Sequence, residues 1–251
     1  MMASKRSALK WSLLCLLVYV IFLVVKLPAS QLVSRIQLPS GVSLSGVSGT
    51  VWNGKAQQLV AHGLPVNSLT WQLDVLPLLW GTASAQVKAG NLRTVDEISF
   101  KGGVQISQNS LGAQNFQAYL PTNLVISLLP LPFPVNADGR FRIQLAQLDY
   151  AENCQALAGK GQWLKAEVAG LQGQIVLGNF DAQLSCNEGD VLLEVKEPNS
   201  FGLSAVARVP NTMKFSIEGK FKPDPNLPAE VQQAAQFFGK PDGQGYYPIR
   251  F

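Results

Sequence analysis

The residues in this chain best suited to chemistry do not combine into a reactive site. The sole histidine, His62, precedes Gly63-Leu64-Pro65 at an expected strand end. A lone imidazole can act as a base, but no spaced second histidine or cysteine joins it to make a metal centre or an activated nucleophile. Its expected role is a turn or surface position. Ser7-x-x-Lys10 has the spacing of a penicillin-binding nucleophile motif, yet it lies at the edge of a long apolar segment. Ser43 and Ser48 occur in a Gly- and Ser-rich run, but Ser45 and Thr50 stand where a G-x-S-x-G elbow needs its last glycine. Gly159-Lys160-Gly161 resembles half of a phosphate loop and leads into strand-like sequence instead of a helix. The pairs Asp96/Glu97 and Glu188/Asp190 fall in expected turns. A solvated face explains them better than a glycosidase dyad, which needs a cleft and a raised pKa. No catalytic, metal-binding or cofactor-binding residue is assigned, and the chain is expected not to be an enzyme.

The cysteines and tryptophans carry a different message. Cys15 lies inside the apolar segment, which leaves Cys154 and Cys186 as the only pair beyond it. In an oxidising compartment this pair forms a disulfide; the alternative is two buried thiols. A bridge would close a loop of about thirty residues and contribute ~3–4 kcal/mol in the chain-entropy picture. Trp52, Trp71, Trp80 and Trp163 sit in or beside expected strands, where a large amphipathic ring either fills a core or anchors a partner. Trp52, Trp71 and Trp80 are the candidate interface residues. Trp80, which follows Leu76-Pro77-Leu78-Leu79, is the one expected to be most exposed.

The compartment is set by the N-terminus. Trp11 to Val25 form an uncharged, mostly apolar run between Lys10 and Lys26. Taken as residues 8–27, a helix would span roughly 30 Å, the thickness of a bilayer's hydrocarbon core. Lys5, Arg6 and Lys10 precede the run, so the positive-inside bias keeps residues 1–7 cytoplasmic and exports residues 28–251. The competing reading is a cleaved signal peptide, but Leu27/Ala29 and Pro28/Ser30 make poor cleavage positions. Of the twenty Lys and Arg residues, Lys5, Arg6, Lys10 and Lys26 belong to this region, leaving sixteen against sixteen Asp and Glu in the exported part. The basic balance is thus a topology signal, and no nucleic-acid surface is expected.

Beyond the anchor the periodicity is two. Leu69, Trp71, Leu73 and Val75 alternate with polar residues, as do Ala85, Val87 and Ala89; Phe141, Ile143 and Leu145; Ala182, Leu184 and Cys186; and Met213, Phe215, Ile217 and Phe221. Such one-sided strands belong to antiparallel sheets. Asn53-Gly54 reads as a hairpin turn with two φ-positive residues, and Asp138-Gly139, Glu188-Gly189 and Gly102-Gly103 as further turns or bulges. The Pro-rich stretch 129–134 is the candidate joint between two halves of the sheet. Helix is expected at Pro28 to Ile36, as a short amphipathic segment, and at Pro228 to Phe238, stopped by Gly239. The tail from Pro241 onward reads as extended or loosely attached. The fold class is therefore all-β: one N-terminal transmembrane helix, then an antiparallel β-domain of about a dozen short strands with a short C-terminal helix. It is built as a sandwich or as a long curved sheet forming an apolar trough.

The run Ser45-Gly46-Val47-Ser48-Gly49-Thr50-Val51-Trp52-Asn53-Gly54-Lys55-Ala56, followed by Leu69-Thr70-Trp71-Gln72-Leu73 and Leu76-Pro77-Leu78-Leu79-Trp80-Gly81, has a familiar form. With the anchor and the Cys154/Cys186 pair, the chain resembles, over essentially its whole length, the protein N family of the bacterial type II secretion system. Its Gly-x-x-Trp-x-Gly hairpin also resembles the start of AsmA-type envelope proteins, which are linked to lipid handling. The secretion resemblance implies a single-pass inner-membrane protein of Gram-negative bacteria, N-terminus inside and bulk in the periplasm. Its partners would be other inner-membrane and periplasmic proteins of the machinery that exports folded proteins across the outer membrane. It implies no catalytic residue and no cofactor. The AsmA-like alternative implies lipid bound in an apolar trough, and an envelope hydrolase would require convergent serines or carboxylates.

Overall fold

The computed structural model describes residues 2–36, 38, 40–127, 135–171, 173–212 and 215–250, with side chains from residue 10 onward. Helix α1 (Met2–Val25) leads into a short α2 (Ala29–Val33). The strands follow as β1 (Val42–Ser45), β2 (Ser48–Gly49), β3 (Asn53–Ala61), β4 (Leu64–Asp74), β5 (Ala83–Ala89), β6 (Ser99–Ile106) and β7 (Leu111–Pro121). Then come β8 (Ala137–Tyr150), β9 (Cys154–Gly170), β10 (Gly173–Asn187), β11 (Asp190–Val195), β12 (Ser204–Val209), β13 (Ser216–Phe221) and β14 (Tyr247–Arg250). Three further short helices are interposed: α3 (Val75–Leu78), α4 (Thr122–Ile126) and α5 (Ala229–Ala235), the last continued by a 3-10 turn, Gln236–Phe238.

Among the described residues all fourteen strands join one antiparallel sheet, in the order β1-β3-β4 and onward consecutively to β14, with β2 pairing β3 beside β1. Every strand from β4 onward lies against its predecessor in sequence, so the sheet is a meander built from hairpins. The expected sandwich is thereby excluded, since no second sheet faces the first among the described residues. The strands are also longer than expected, reaching 17 residues in β9. Bulges extend them: β8 and β9 shift register between Leu145 and Gln147, and β9 and β10 around Gly178.

The alternating positions fall where the sequence puts them. In β4, Leu69, Trp71 and Leu73 are half-buried while Thr70, Gln72 and Asp74 are exposed. Ala85, Val87 and Ala89 repeat this in β5. One-sided burial in a single layer gives a thin core, and many of its fully buried apolar residues are alanines such as Ala56, Ala89, Ala113 and Ala166. The thicker part lies where α5 covers β9 and β10: Ala166, Ile175, Leu177, Phe180 and Val231 form the buried cluster, with Trp163, Val168, Phe201, Leu203 and Leu227 packed on it.

Three expectations change. Asn53 and Gly54 are not a turn but the first residues of β3, already paired with Gln72 and Trp71; the two-residue turn with both φ positive is His62-Gly63, between β3 and β4. Of the two readings of the tail, extended holds and loosely attached does not, because β14 pairs with β13 from Phe221↔Tyr247 to Glu218↔Arg250. Of the segment after the anchor, only Ala29–Val33 is helical and Ile36 is exposed. The transmembrane helix is not found in the form expected: among the described residues, no helix is long and apolar enough to cross a membrane. α1 ends at Val25, short of Leu27. The Pro-rich joint at 129–134 and the start of the last expected run, Met213, lie outside the described residues.

The C-terminal helix agrees closely with its sequence signals. Pro228 caps α5, Val231 and Ala235 are buried, and Gly239 ends the 3-10 turn at φ 113°.

Candidate functional site

Meander topology divides the turns between two ends of the sheet. One end carries the β2–β3, β4–β5, β6–β7, β8–β9 and β10–β11 connections; the opposite end carries β5–β6, β7–β8 and β9–β10. α1 meets the first of these ends. The Trp52 indole Nε1 donates to Val24 O (2.8 Å), Val51 N donates to Leu27 O (3.0 Å), and Pro28 bridges Thr50. Trp71 secures the same corner, its Nε1 donating to Val51 O (2.9 Å). Both rings are half-buried. Of the three candidate interface tryptophans, then, Trp52 and Trp71 make internal bonds that tie the last turn of α1 to β3 and β4. Trp80 is 77 % exposed, the most exposed of the three.

The Cys154–Cys186 disulfide lies at this end too, joining the start of β9 to the end of β10 with Cα atoms 5.6 Å apart. Cys154 is buried and its N–H donates to Gly189 O (2.8 Å) in the β10–β11 turn. The bridge therefore clamps β9 to β10, and the Cys154 N–H holds the β10–β11 turn beside it.

A second feature was not read from the sequence. An aromatic series crosses the sheet from Phe141 (β8) to Trp163 (β9) and Phe180 (β10), then through Phe201 in the β11–β12 loop to Phe221 (β13), with centroids 5.4–6.3 Å apart. Phe221 contacts Phe238 and Tyr247 in turn. Trp163 Nε1 donates to Thr122 Oγ1 and to Asp138 O, both at 3.1 Å, so this ring is a satisfied core group. Beside the series lies an apolar cavity of about 490 Å³, lined by side chains that include Ile126, Ile175, Leu203, Val231, Phe238 and Ile249. Strands β9 and β14 both reach it, although adjacent strands stand ~4.8 Å apart, so the sheet curls around α5. In-phase Phe141 and Phe221 hinted at an inner face, but Phe201 comes from an irregular loop that no periodicity marks.

The residues considered for catalysis stay apart. His62 is exposed in its turn, against Gly41. Asp96/Glu97 occupy the β5–β6 connection at one end of the sheet, and Glu188/Asp190 lie at the other. Among the described residues no group of three or more His, Cys, Asp or Glu could hold a metal ion. Arg140, half-buried, donates to Leu92 O (2.8 Å) and Ser99 Oγ (3.0 Å) and lies 4.1 Å over the Tyr119 ring. Burial lowers its pKa, opposed by Tyr119. Its work is structural, holding the β5–β6 connection against β8.

Among the described residues, then, the chain is one large antiparallel sheet with a disulfide at one end and an apolar cavity under α5. The family model for type II secretion system protein N matches residues 40–250, and the chain belongs to that family. It is similar to the type II secretion system protein N of Vibrio cholerae serotype O1, 29 % identical over 250 residues and covering 97 % of both chains. It is also similar to that of Aeromonas hydrophila, 29 % identical with 95 % of both chains covered. The Klebsiella pneumoniae protein of the same name is 24 % identical, covering 98 % of this chain and 96 % of that one. No solved structure matches.

Proposed function

We propose that this chain is a non-catalytic subunit of a type II secretion apparatus, held at the bacterial inner membrane by α1 with its N-terminus inside. Its sheet, in the periplasm, supports assembly with other inner-membrane and periplasmic components for export of folded proteins across the outer membrane. The carrying observation is coextension: the family match, residues 40–250, runs the whole length of the sheet, Val42 to Arg250. The matched region of this chain is the sheet. The large apolar side chains from Trp11 to Val25 are 46–66 % exposed, which favours a lipid surrounding, and the disulfide suits an oxidising compartment. Strand edges at β1 and β14 suit contact by strand addition.

A lipid-binding reading draws on one observation, the apolar cavity under α5. The two are separated by crosslinking in cells followed by mild-detergent purification of the full chain. Other type II secretion proteins crosslinked to it support the assembly role. Recovery of lipid alone, with no secretion protein attached, would overturn it.

A further inference from the structure

We propose that the β4–β5 corner, residues 75–80, is a second membrane contact, seated in the interfacial layer of the bilayer beside the end of α1. This rests on the anchoring reading above. Val75, Leu76, Leu79 and Trp80 are 54 %, 69 %, 75 % and 77 % exposed, an apolar group projecting from the sheet end. No Asp, Glu, Lys or Arg occurs between Asp74 and Lys88, and Asp74 itself accepts a hydrogen bond from Ser84 Oγ (3.0 Å). The backbone is also prepared for a water-poor layer. Leu79 N donates to Leu76 O (3.1 Å), Trp80 N to Pro77 O (3.0 Å) and Gly81 N to Leu78 O (3.0 Å), while Pro77 has no N–H to satisfy.

Position selects the bilayer over other occupants. Leu73 N donates to Trp52 O (2.7 Å), and Trp52 Nε1 donates to Val24 O in the last turn of α1. One residue thus links the base of the corner to the helix whose own apolar side chains are exposed. A helix leaving the hydrocarbon layer at Lys26 puts its immediate neighbours at headgroup level. Tryptophan is favoured there, because its ring is apolar and its N–H polar. Two contacts at this end of the sheet would fix its tilt over the membrane, where α1 alone leaves rotation about the helix free.

The test uses the full-length chain with Cys15→Ser, reconstituted into vesicles of phosphatidylethanolamine and phosphatidylglycerol. A polarity-sensitive fluorophore is attached at Leu79→Cys or, as control, at Leu171→Cys, which is 91 % exposed at the opposite end of the sheet. Both positions are on the surface, and retention of the Cys154–Cys186 bridge reports folding. The expected result is blue-shifted emission at position 79, quenched by lipids spin-labelled near the headgroup and protected from aqueous iodide, with the reverse at 171. Iodide quenching at 79 equal to that at 171, in chain that floats with the vesicles, overturns the corner contact and leaves α1 as the sole anchor. A chain that does not float at all overturns both readings.

Discussion

Gly54 shows how a residue can be read correctly as special and for the wrong reason. Its place after Asn53 suggested a left-handed turn, yet it lies within β3, and what it supplies is the absence of a Cβ. An atom there would sit 2.3 Å from Trp71 Cζ2 and 2.8 Å from Thr50 O. The indole lies close against this backbone, and from there its N–H reaches Val51 O. Spacing along one strand cannot show this, because the ring belongs to the next strand. Gly54→Val should displace Trp71, lose that hydrogen bond and lower stability by about 1–3 kcal/mol in urea unfolding. Gly161→Ala is the matched control, since its Cβ would meet only Ala182 at an ordinary 3.6 Å. Equal losses for the two variants would mean that the close approach is not what Gly54 provides.

At the scale of elements, period-two alternation marked β4, β5, β8 and β10, and Pro228 and Gly239 marked α5. Their signals are local, so the sequence carries them directly. The tail could be read as extended or loose but its pairing as β14 could not, because that depends on a turn organised by one side chain. Asp242 Oδ1 accepts from Gln244 N and Tyr246 N, both at 2.9 Å, while Asp242 N donates to Tyr246 O (2.8 Å). Lys222 Nζ donates to Gln244 O (2.9 Å), and Tyr246 OH donates to Glu197 (3.2 Å). The N–H groups of Tyr246 and then Gln244 hold the Asp242 carboxyl below the usual carboxylate range, with Lys220 adding to the effect. A carboxyl depressed in the folded state stabilises it fully above the unfolded pKa and loses that contribution as pH falls through the folded value. Amide exchange in β14, corrected for intrinsic rates, should therefore accelerate below pH ~4. In Asp242→Ala it should be fast across the range with no such step. A step of unchanged size in the variant would assign the pH dependence to another group.

The whole molecule was legible as an all-β chain with a Cys154–Cys186 disulfide, because cysteine placement and alternation are each written in short stretches. Sandwich and curved sheet could not be told apart, since both have the same alternation; what decides is that each strand from β4 onward pairs with its predecessor. The cavity under α5 was equally hidden, for it needs β9, β10, β13 and β14 curled onto one helix. The central claim is that this sheet, not a reactive site, carries the role in secretion. The direct measurement is secretion itself, in a host with a type II apparatus whose own protein N is removed and replaced either by the full chain or by residues 1–27 alone. The full chain should return folded exoproteins to the medium, while residues 1–27 should leave them folded in the periplasm. Equal export with both, accompanied by detergent sensitivity only in cells carrying residues 1–27, would contradict the account and favour a lipid role for the sheet.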